Sequence, residues 1–223
     1  MIGAFLALLA VTYDEGLAER LTQLTRASHW TAAGAISVGF DTYHPQGMVR
    51  ISGAYFVSSV DKEGRAGHLF KIDASGKLLA DLKLTEGDLY HPGGIDYDGQ
   101  TIWLPVAEYR PDSRAIIYRV NPETMKATEI LRFADHIGGI VHNTDDNTLH
   151  GVTWGSRRFY RWTLDNDGKV TNGGTPPERL RKPNQSHYID YQDCKYVGRR
   201  EMLCSGLNFY TPKKDGPRYA LGG

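Results

Sequence analysis

The stretch His91-Pro-Gly-Gly-Ile95 returns almost unchanged as His136-Ile-Gly-Gly-Ile140, and a looser version occurs at His44-Pro-Gln-Gly-Met48. The three histidines are spaced by 47 and 45 residues. A period of this length is typical of repeat architectures, and of β-propeller blades in particular. Each histidine therefore marks the start of one structural repeat.

Each repeat carries four short strand patterns separated by turn residues. In the second repeat the strand after His91 leads through Asp98-Gly99 to strands predicted at 101–107, 115–120 and 126–133. Runs of β-branched and aromatic residues between such turns predict strands. Four strands per period predict a four-stranded blade, and the sequence as a whole predicts an all-β propeller.

The blade count is less sharply defined than the repeat. A further repeat opens near Gln185 or His187, and residues 30–40 resemble the outer strands of a preceding blade, which gives four to five blades. Since propellers close with about 4 to 8 blades, we expect either a truncated six-bladed propeller or a closed ring of four or five. The last repeat aligns in two ways, which place either Gln185 or His187 opposite His91.

The N-terminal segment lies outside the repeats. Its first ten residues are apolar, as in the core of a signal peptide, and too few to span a bilayer. They lack a preceding basic residue, so the alternative is an amphipathic helix over 14–25 with Leu17, Leu21 and Leu24 on one face. We expect an N-terminal segment with a short helix at 1–28 and a propeller domain at 29–223.

Charge and motifs narrow the function classes. Lysine plus arginine and aspartate plus glutamate both number 26 among 223 residues, so no basic field exists for nucleic acid. No Gly-x-Ser-x-Gly elbow, phosphate-binding loop or paired Cys-x-x-Cys motif occurs, so neither a nucleotide nor an organic cofactor is expected. We expect a monomer that acts on a small molecule and has no membrane span.

Three further features favour secretion. Cys194 and Cys204 lie symmetrically about the turn at 197–200, which predicts either a cross-strand disulfide or two buried thiols. A disulfide would indicate an oxidising compartment. Asn184-Gln-Ser186 is a glycosylation sequon, and the apolar N-terminus agrees with export.

The candidate chemistry lies where the blades begin. In a propeller the inner strands run along the axis, so equivalent residues at their starts converge at one end of the channel, its mouth. We expect His44, His91 and His136 to form a ring there with His187 or Gln185. Such a ring could bind one divalent metal ion (Ca, Mn or Zn) or supply a general base. It could equally hold neighbouring blades together by hydrogen bonds.

The loops between second and third strands open on the same face as the mouth. Glu108 is the expected proton carrier beside His91 and His136. A second set of polar and aromatic residues is expected to contact a substrate: Arg110, Trp154, Arg157, Asn208 and Tyr210.

The blade pattern around His91-Pro-Gly-Gly-Ile-Asp96 resembles six-bladed propellers of the gluconolactonase and strictosidine-synthase type. The channel histidines resemble those of the virginiamycin B lyase-like and oligogalacturonate lyase-like groups. The segment Phe40-Asp-Thr-Tyr-His-Pro-Gln-Gly47 resembles part of an uncharacterised secreted propeller family.

The resemblance implies a reaction class. In the lactonase group carboxylates and asparagines hold the metal, and only Glu108 and Asn208 match them here, whereas in the lyase groups histidines bind metal or act as base. The resemblance therefore implies a metal-assisted lyase or hydrolase acting on a lactone or a uronate-like substrate. The alternatives are a non-catalytic propeller that binds a protein or glycan, and a metal-free cyclase.

Overall fold

The described residues form four antiparallel sheets and two short α-helices. The computed structural model describes residues 16–25, 27–32 and 34–223. The sheets follow one another along the chain, and in each sheet consecutive strands pair. They are the four blades of a β-propeller, which confirms the all-β prediction and sets the blade number at the lower end of the expected range.

The strands have the following bounds. Blade 1 contains β1 (His44–Ile51), β2 (Ala54–Asp61), β3 (Ala66–Ile72) and β4 (Leu78–Lys83). Blade 2 contains β5 (Leu89–Pro92), β6 (Asp96–Tyr97), β7 (Ile102–Glu108), β8 (Ala115–Val120) and β9 (Ala127–Phe133), with β5 and β6 both paired to β7. Blade 3 contains β10 (Gly139–Asn143), β11 (Thr148–Val152), β12 (Arg158–Thr163) and β13 (Lys182–Pro183). Blade 4 contains β14 (Tyr191–Gly198), β15 (Glu201–Tyr210) and β16 (Tyr219–Gly222).

Glycine lets the inner strands touch at the axis. The Gly94 N–H donates to the Gly138 carbonyl at 2.8 Å, and the Ile140 N–H donates to the Gly94 carbonyl at 3.2 Å. A Cβ atom on Gly47 would lie only 2.8 Å from the Cα of Gly94. Glycine is therefore required for close packing at positions 47 and 94, three residues after His44 and His91.

Blade 4 has an aspartate where the other blades have this glycine. Asp193 lies beside Gly47 and Gly94. Its carboxylate accepts hydrogen bonds from the backbone N–H of Ile95 at 3.1 Å and of Met48 at 3.3 Å. This one side chain therefore ties blade 4 to the inner strands of blades 1 and 2.

Hydrophobic clusters fill three junctions between blades. One joins blades 1 and 2, a second contains Trp103 and Trp162 between blades 2 and 3, and a third contains Val152 and Tyr196 between blades 3 and 4. The two tryptophans thus pack between neighbouring blades. Within the described residues no such cluster joins blade 4 to blade 1, and a cleft of about 1010 Å³ lies between them.

A disulfide closes the hairpin of blade 4. Cys194 on β14 pairs with Cys204 on β15, and their Cα atoms are 4.0 Å apart. The disulfide prediction is confirmed, and the alternative of two free thiols is wrong.

The segment before blade 1 differs from expectation. The described part of 30–40 contains no strand, and the Phe40 ring instead packs edge-on against Phe70 of blade 1 at 5.3 Å. The predicted helix exists as α1 (Leu17–Thr22), but none of its residues is buried. The second helix, α2 (Pro177–Leu180), precedes β13. The apolar residues 1–10 lie outside the described residues.

In the described ranges no helix has the length and apolar character needed to cross a membrane.

Candidate functional site

His91 is buried without a polar partner. It lies on β5 and is 8% exposed. Both ring nitrogens are enclosed by protein, and neither has a hydrogen-bond partner in the described structure. A buried, unsatisfied polar group costs about 1–3 kcal/mol. An unsatisfied buried group in a native fold needs an explanation, and one explanation is that a ligand supplies the missing hydrogen bond.

Three rings surround His91. The centroid of the Tyr109 ring lies 4.3 Å away, that of His136 5.5 Å and that of Trp154 6.1 Å. Trp154 also meets His136 edge-on at 5.0 Å and Tyr109 at 5.8 Å. These four residues, His91, Tyr109, His136 and Trp154, are called the aromatic cluster below. The structure thus brings together two of the predicted histidines and one predicted substrate contact.

Trp154 is held by a strained turn. It follows β11 and begins a single 3-10 turn in which Gly155 has φ 65° and Ser156 has φ 47°. Glycine adopts this left-handed conformation freely, whereas serine does so at some cost. The fully buried Ser156 hydroxyl donates to the Ile189 carbonyl at 2.7 Å, which fixes the turn. The Trp154 ring is thereby placed over both histidines.

His136 has a defined proton position. Its Nδ1 lies 3.1 Å from the carbonyl oxygens of both Glu108 and Arg110. Because a carbonyl oxygen only accepts, Nδ1 carries the proton and Nε2 carries the lone pair. This imidazole is therefore oriented to accept a proton at Nε2.

Both histidines of the cluster are neutral near pH 7. Burial lowers the pKa of His91 to about 3, and the nearby His136, His44 and Lys62 act in the same direction. Burial also lowers the pKa of His136 to about 4, although its hydrogen bonds to the Arg110 and Glu108 carbonyls act in the opposite direction. Neutral imidazoles can serve as proton acceptors or as ligands.

Glu108 is engaged by arginines. Its side chain is 4% exposed, forms a 2.7 Å ion pair with Arg114 and a second ion pair with Arg110. Burial acts to raise the pKa of Glu108, but the bonds to Arg114 and Arg110 outweigh it and leave that pKa lowered. Both carboxylate oxygens therefore have cationic partners, which does not suit the predicted role of Glu108 as proton carrier.

Within the described residues, neither His44 nor His187 makes a ring contact with the aromatic cluster. His44 is exposed at the start of β1, close enough for its charge to affect His91. His187 lies before β14, and its Nδ1 bonds the Asn184 carbonyl at 2.8 Å. Neither Gln185 nor His187 occupies the position three residues before Asp193, which is that of Asp190.

The described residues contain no group of three or more His, Cys, Asp or Glu side chains arranged to hold a metal ion. The predicted metal ligands are thus incomplete as placed, and a divalent ion stays a prediction.

Other predicted substrate contacts lie on blades 3 and 4. Arg157 lies near Asp190. Burial raises the pKa of Asp190, although the hydrogen bond to Gln192 and the charge of Arg157 act in the opposite direction. Asn208 donates to the Tyr188 carbonyl at 3.2 Å, and the Tyr210 hydroxyl donates to the same carbonyl. No ring contact or hydrogen bond joins Asn208 or Tyr210 to the aromatic cluster in the part of the chain that the structure describes.

Lys62 is a neighbour of the cluster that sequence reasoning did not single out. Its ammonium lies 4.9 Å from the centroid of the Tyr109 ring. Lys62 follows His44 by 18 residues, as Tyr109 follows His91 and Trp154 follows His136. The same spacing that revealed the histidines could therefore have identified Lys62, Tyr109 and Trp154 as a second set of equivalent residues.

The cleft between blades 1 and 4 is a weaker candidate site despite its size. It is lined by apolar side chains such as Met48 and Val57, and no histidine reaches it. Its one carboxylate, Asp193, is already bonded to two backbone N–H groups. Titratable groups with shifted pKa values are concentrated at the aromatic cluster instead, which makes it the stronger candidate site.

The chain matches the family of unknown function DUF6454 over residues 5–223. It belongs to this family. No curated protein matches this DUF6454 chain.

Several solved structures resemble it. The computationally designed Ika4 protein is 10% identical with a TM-score of 0.46, over 86% of this chain and 98% of that one. The calcium-binding protein regucalcin from Agrobacterium tumefaciens is 17% identical with a TM-score of 0.39, over 70% of this chain and 48% of its own. The β-propeller domain of the Trilobed protease from Pyrococcus furiosus is 14% identical with a TM-score of 0.39, over 80% and 56%.

The DUF6454 chain spans about half of the length of the last two proteins. These likenesses concern the overall fold, and none of them bears on the function.

Proposed function

We propose that the protein is a lyase that removes a proton from a small molecule bound at the aromatic cluster. The observation that carries the proposal is the pair of buried neutral imidazoles. His136 is fixed with its lone pair on Nε2, and His91 beside it has two unsatisfied nitrogens. General bases of this kind contribute about 10²–10⁴-fold to rates.

The proposed reaction is a β-elimination on a uronate-like substrate. Nε2 of His136 accepts the proton on the carbon next to the carboxylate, and the electrons of that C–H bond form a carbon–carbon double bond. The bond from the neighbouring carbon to its oxygen substituent breaks, and the leaving oxygen takes a proton from solvent.

The walls of the cluster suit such a substrate. Tyr109 and Trp154 offer ring faces and edges to a sugar, and Trp154 is 37% exposed. Aromatic side chains beside a few polar groups are typical of sites that bind small molecules.

Polygalacturonate incubated with wild-type protein tests the reaction, because elimination produces an unsaturated uronate with ultraviolet absorbance. We expect His136→Gln to lower the rate by about a hundred-fold or more. His150→Gln is the matched control, since that ring lies in the same blade and bonds Thr148 at 2.9 Å. Wild-type rates in His136→Gln, or no product from the wild type, would contradict the proposal.

Metal analysis tests the separate prediction of a divalent ion. Stoichiometric metal that is lost in the double variant His91→Ala plus His136→Ala would replace the metal-free scheme by a metal-assisted one.

Secretion is also part of the proposal. The disulfide Cys194–Cys204 supports it, because structural disulfides persist in oxidising compartments. The sequon does not add support, since the side-chain nitrogen of Asn184, where a glycan would attach, donates to the Ser156 carbonyl at 2.8 Å.

A further inference from the structure

Three equivalent loops each supply one side chain to the surroundings of His91. Lys62 follows β2, Tyr109 follows β7 and Trp154 is the second residue after β11. Each loop joins the second and third strands of its blade. Tyr109 and Trp154 touch His91, so the corresponding position in blade 1 belongs to the same wall.

Lys62 is held over an aromatic ring beside His91. Its ammonium lies 4.9 Å from the Tyr109 centroid, and that ring lies 4.3 Å from the His91 ring. A cation over a ring face is attracted by the negative face of the aromatic ring. The Lys62 charge also contributes to lowering the pKa of both His91 and His44, after burial.

No described carboxylate forms an ion pair with Lys62. Glu108 is already paired with Arg110 and Arg114, and Asp61 accepts a hydrogen bond from the Gly64 N–H at 2.8 Å. Glu108 and its two arginines together carry one excess positive charge. The surroundings of His91 are therefore positive, with an ammonium that lacks an anionic partner.

We propose that Lys62 is the specificity-determining residue that binds the carboxylate of a sugar acid at the aromatic cluster. The inference rests on the proposed function for the location of the substrate. The carboxylate pairs with the Lys62 ammonium, the sugar ring packs against Tyr109 and Trp154, and the acidic carbon is brought towards His136. The neutral sugar lacks the group that Lys62 binds, so the site discriminates by charge.

The first measurement is direct binding, which needs no turnover. D-glucuronate, D-glucose and inorganic phosphate are titrated separately into the full chain while the indole resonance of Trp154, assigned with Trp154→Phe, is followed by NMR. We expect D-glucuronate to bind at least about ten-fold more tightly than D-glucose, since D-glucuronate gains a charge-assisted hydrogen bond that D-glucose lacks. Phosphate should bind no better than glucose.

The second measurement uses variants of the ammonium. Lys62→Met should weaken D-glucuronate binding about ten-fold and leave D-glucose unchanged, whereas Lys62→Arg should stay within about three-fold of the wild type. Lys126→Met is the control, because Lys126 is an exposed lysine between β8 and β9. Unchanged D-glucuronate binding in Lys62→Met overturns the proposal. So does tighter binding of phosphate, or no D-glucuronate binding by the wild type.

His136→Gln separates this inference from the proposed reaction. If it keeps D-glucuronate binding while the wild type shows no elimination, the reaction is wrong and the Lys62 anchor stands. If elimination depends on His136 but Lys62→Met leaves D-glucuronate binding unchanged, the proposed reaction stands and the proposed role of Lys62 is wrong.

Discussion

Two equally buried histidines have opposite bonding. His91 at the mouth is 8% exposed, and His142 at the other end of the inner strands is 9% exposed. His91 has no partner for either nitrogen. In His142, Nδ1 lies 2.8 Å from an oxygen of Asp98, and Nε2 lies 3.0 Å from Oδ1 of Asn147.

The surroundings of His142 form a closed network. The Asp98 carboxylate also accepts from Trp103 Nε1 at 2.7 Å and from two backbone N–H groups. Burial acts to raise the pKa of Asp98, but the bonds from His142 and Trp103 outweigh it and leave the pKa lowered. A satisfied buried histidine supports the fold, whereas an unsatisfied one is available to a ligand.

The largest expected difference comes from replacing His142 by an apolar residue of similar size. His142→Leu leaves the half-buried Asp98 carboxylate with only its Trp103 and backbone partners, so we expect the free energy of unfolding to fall by about 3 kcal/mol. Urea unfolding measures this, with His29→Leu, at an exposed position, as the control. A loss no larger than that of His29→Leu would show that the network does not support the fold.

The regular repeats could be predicted because the axis imposes them. The glycines at 47, 94 and 139 let backbones approach, so they recur at fixed distances from their histidines and set the alignment. In blade 4 Asp193 replaces this glycine, so the sequence of blade 4 lacks the residue by which the other repeats can be aligned. For that reason the sequence left Gln185 and His187 as alternatives for the fourth member of the ring.

The contacts of the site depend on loop geometry that no local pattern contains. Lys62 resembled an ordinary turn residue, and its approach to Tyr109 requires two blades to be packed side by side. Glu108 was predicted as a proton carrier, but its ion pairs with Arg110 and Arg114 depend on how the loop after β7 folds. The contact between His142 and Asp98 likewise joins residues 44 positions apart in the sequence.

A pH dependence sharpens the contrast at His91. Folding lowers its pKa from the ordinary value of 6.5 to about 3, so the unfolded chain binds this proton more tightly. The contribution of neutral His91 to the free energy of unfolding is therefore complete above pH 6.5 and is lost as the pH falls towards 3. Between about pH 7 and 4.5 we expect the wild type to lose about 2 kcal/mol more than His91→Leu. Equal losses in urea unfolding at the two pH values would mean that His91 titrates normally.

The smallest expected effect has the opposite sign to that at His142. Near pH 7, His91→Leu removes two buried nitrogens that have no partner, so we expect the free energy of unfolding to rise by about 1 kcal/mol. D-glucuronate binding and the rate of elimination should both fall, because leucine fills the space but offers no polar atom to a ligand. The same exchange would thus stabilise the fold at one end of the inner strands and destabilise it at the other. A His91→Leu variant that is less stable than the wild type near pH 7 would show that His91 is a structural residue whose partners lie within the protein.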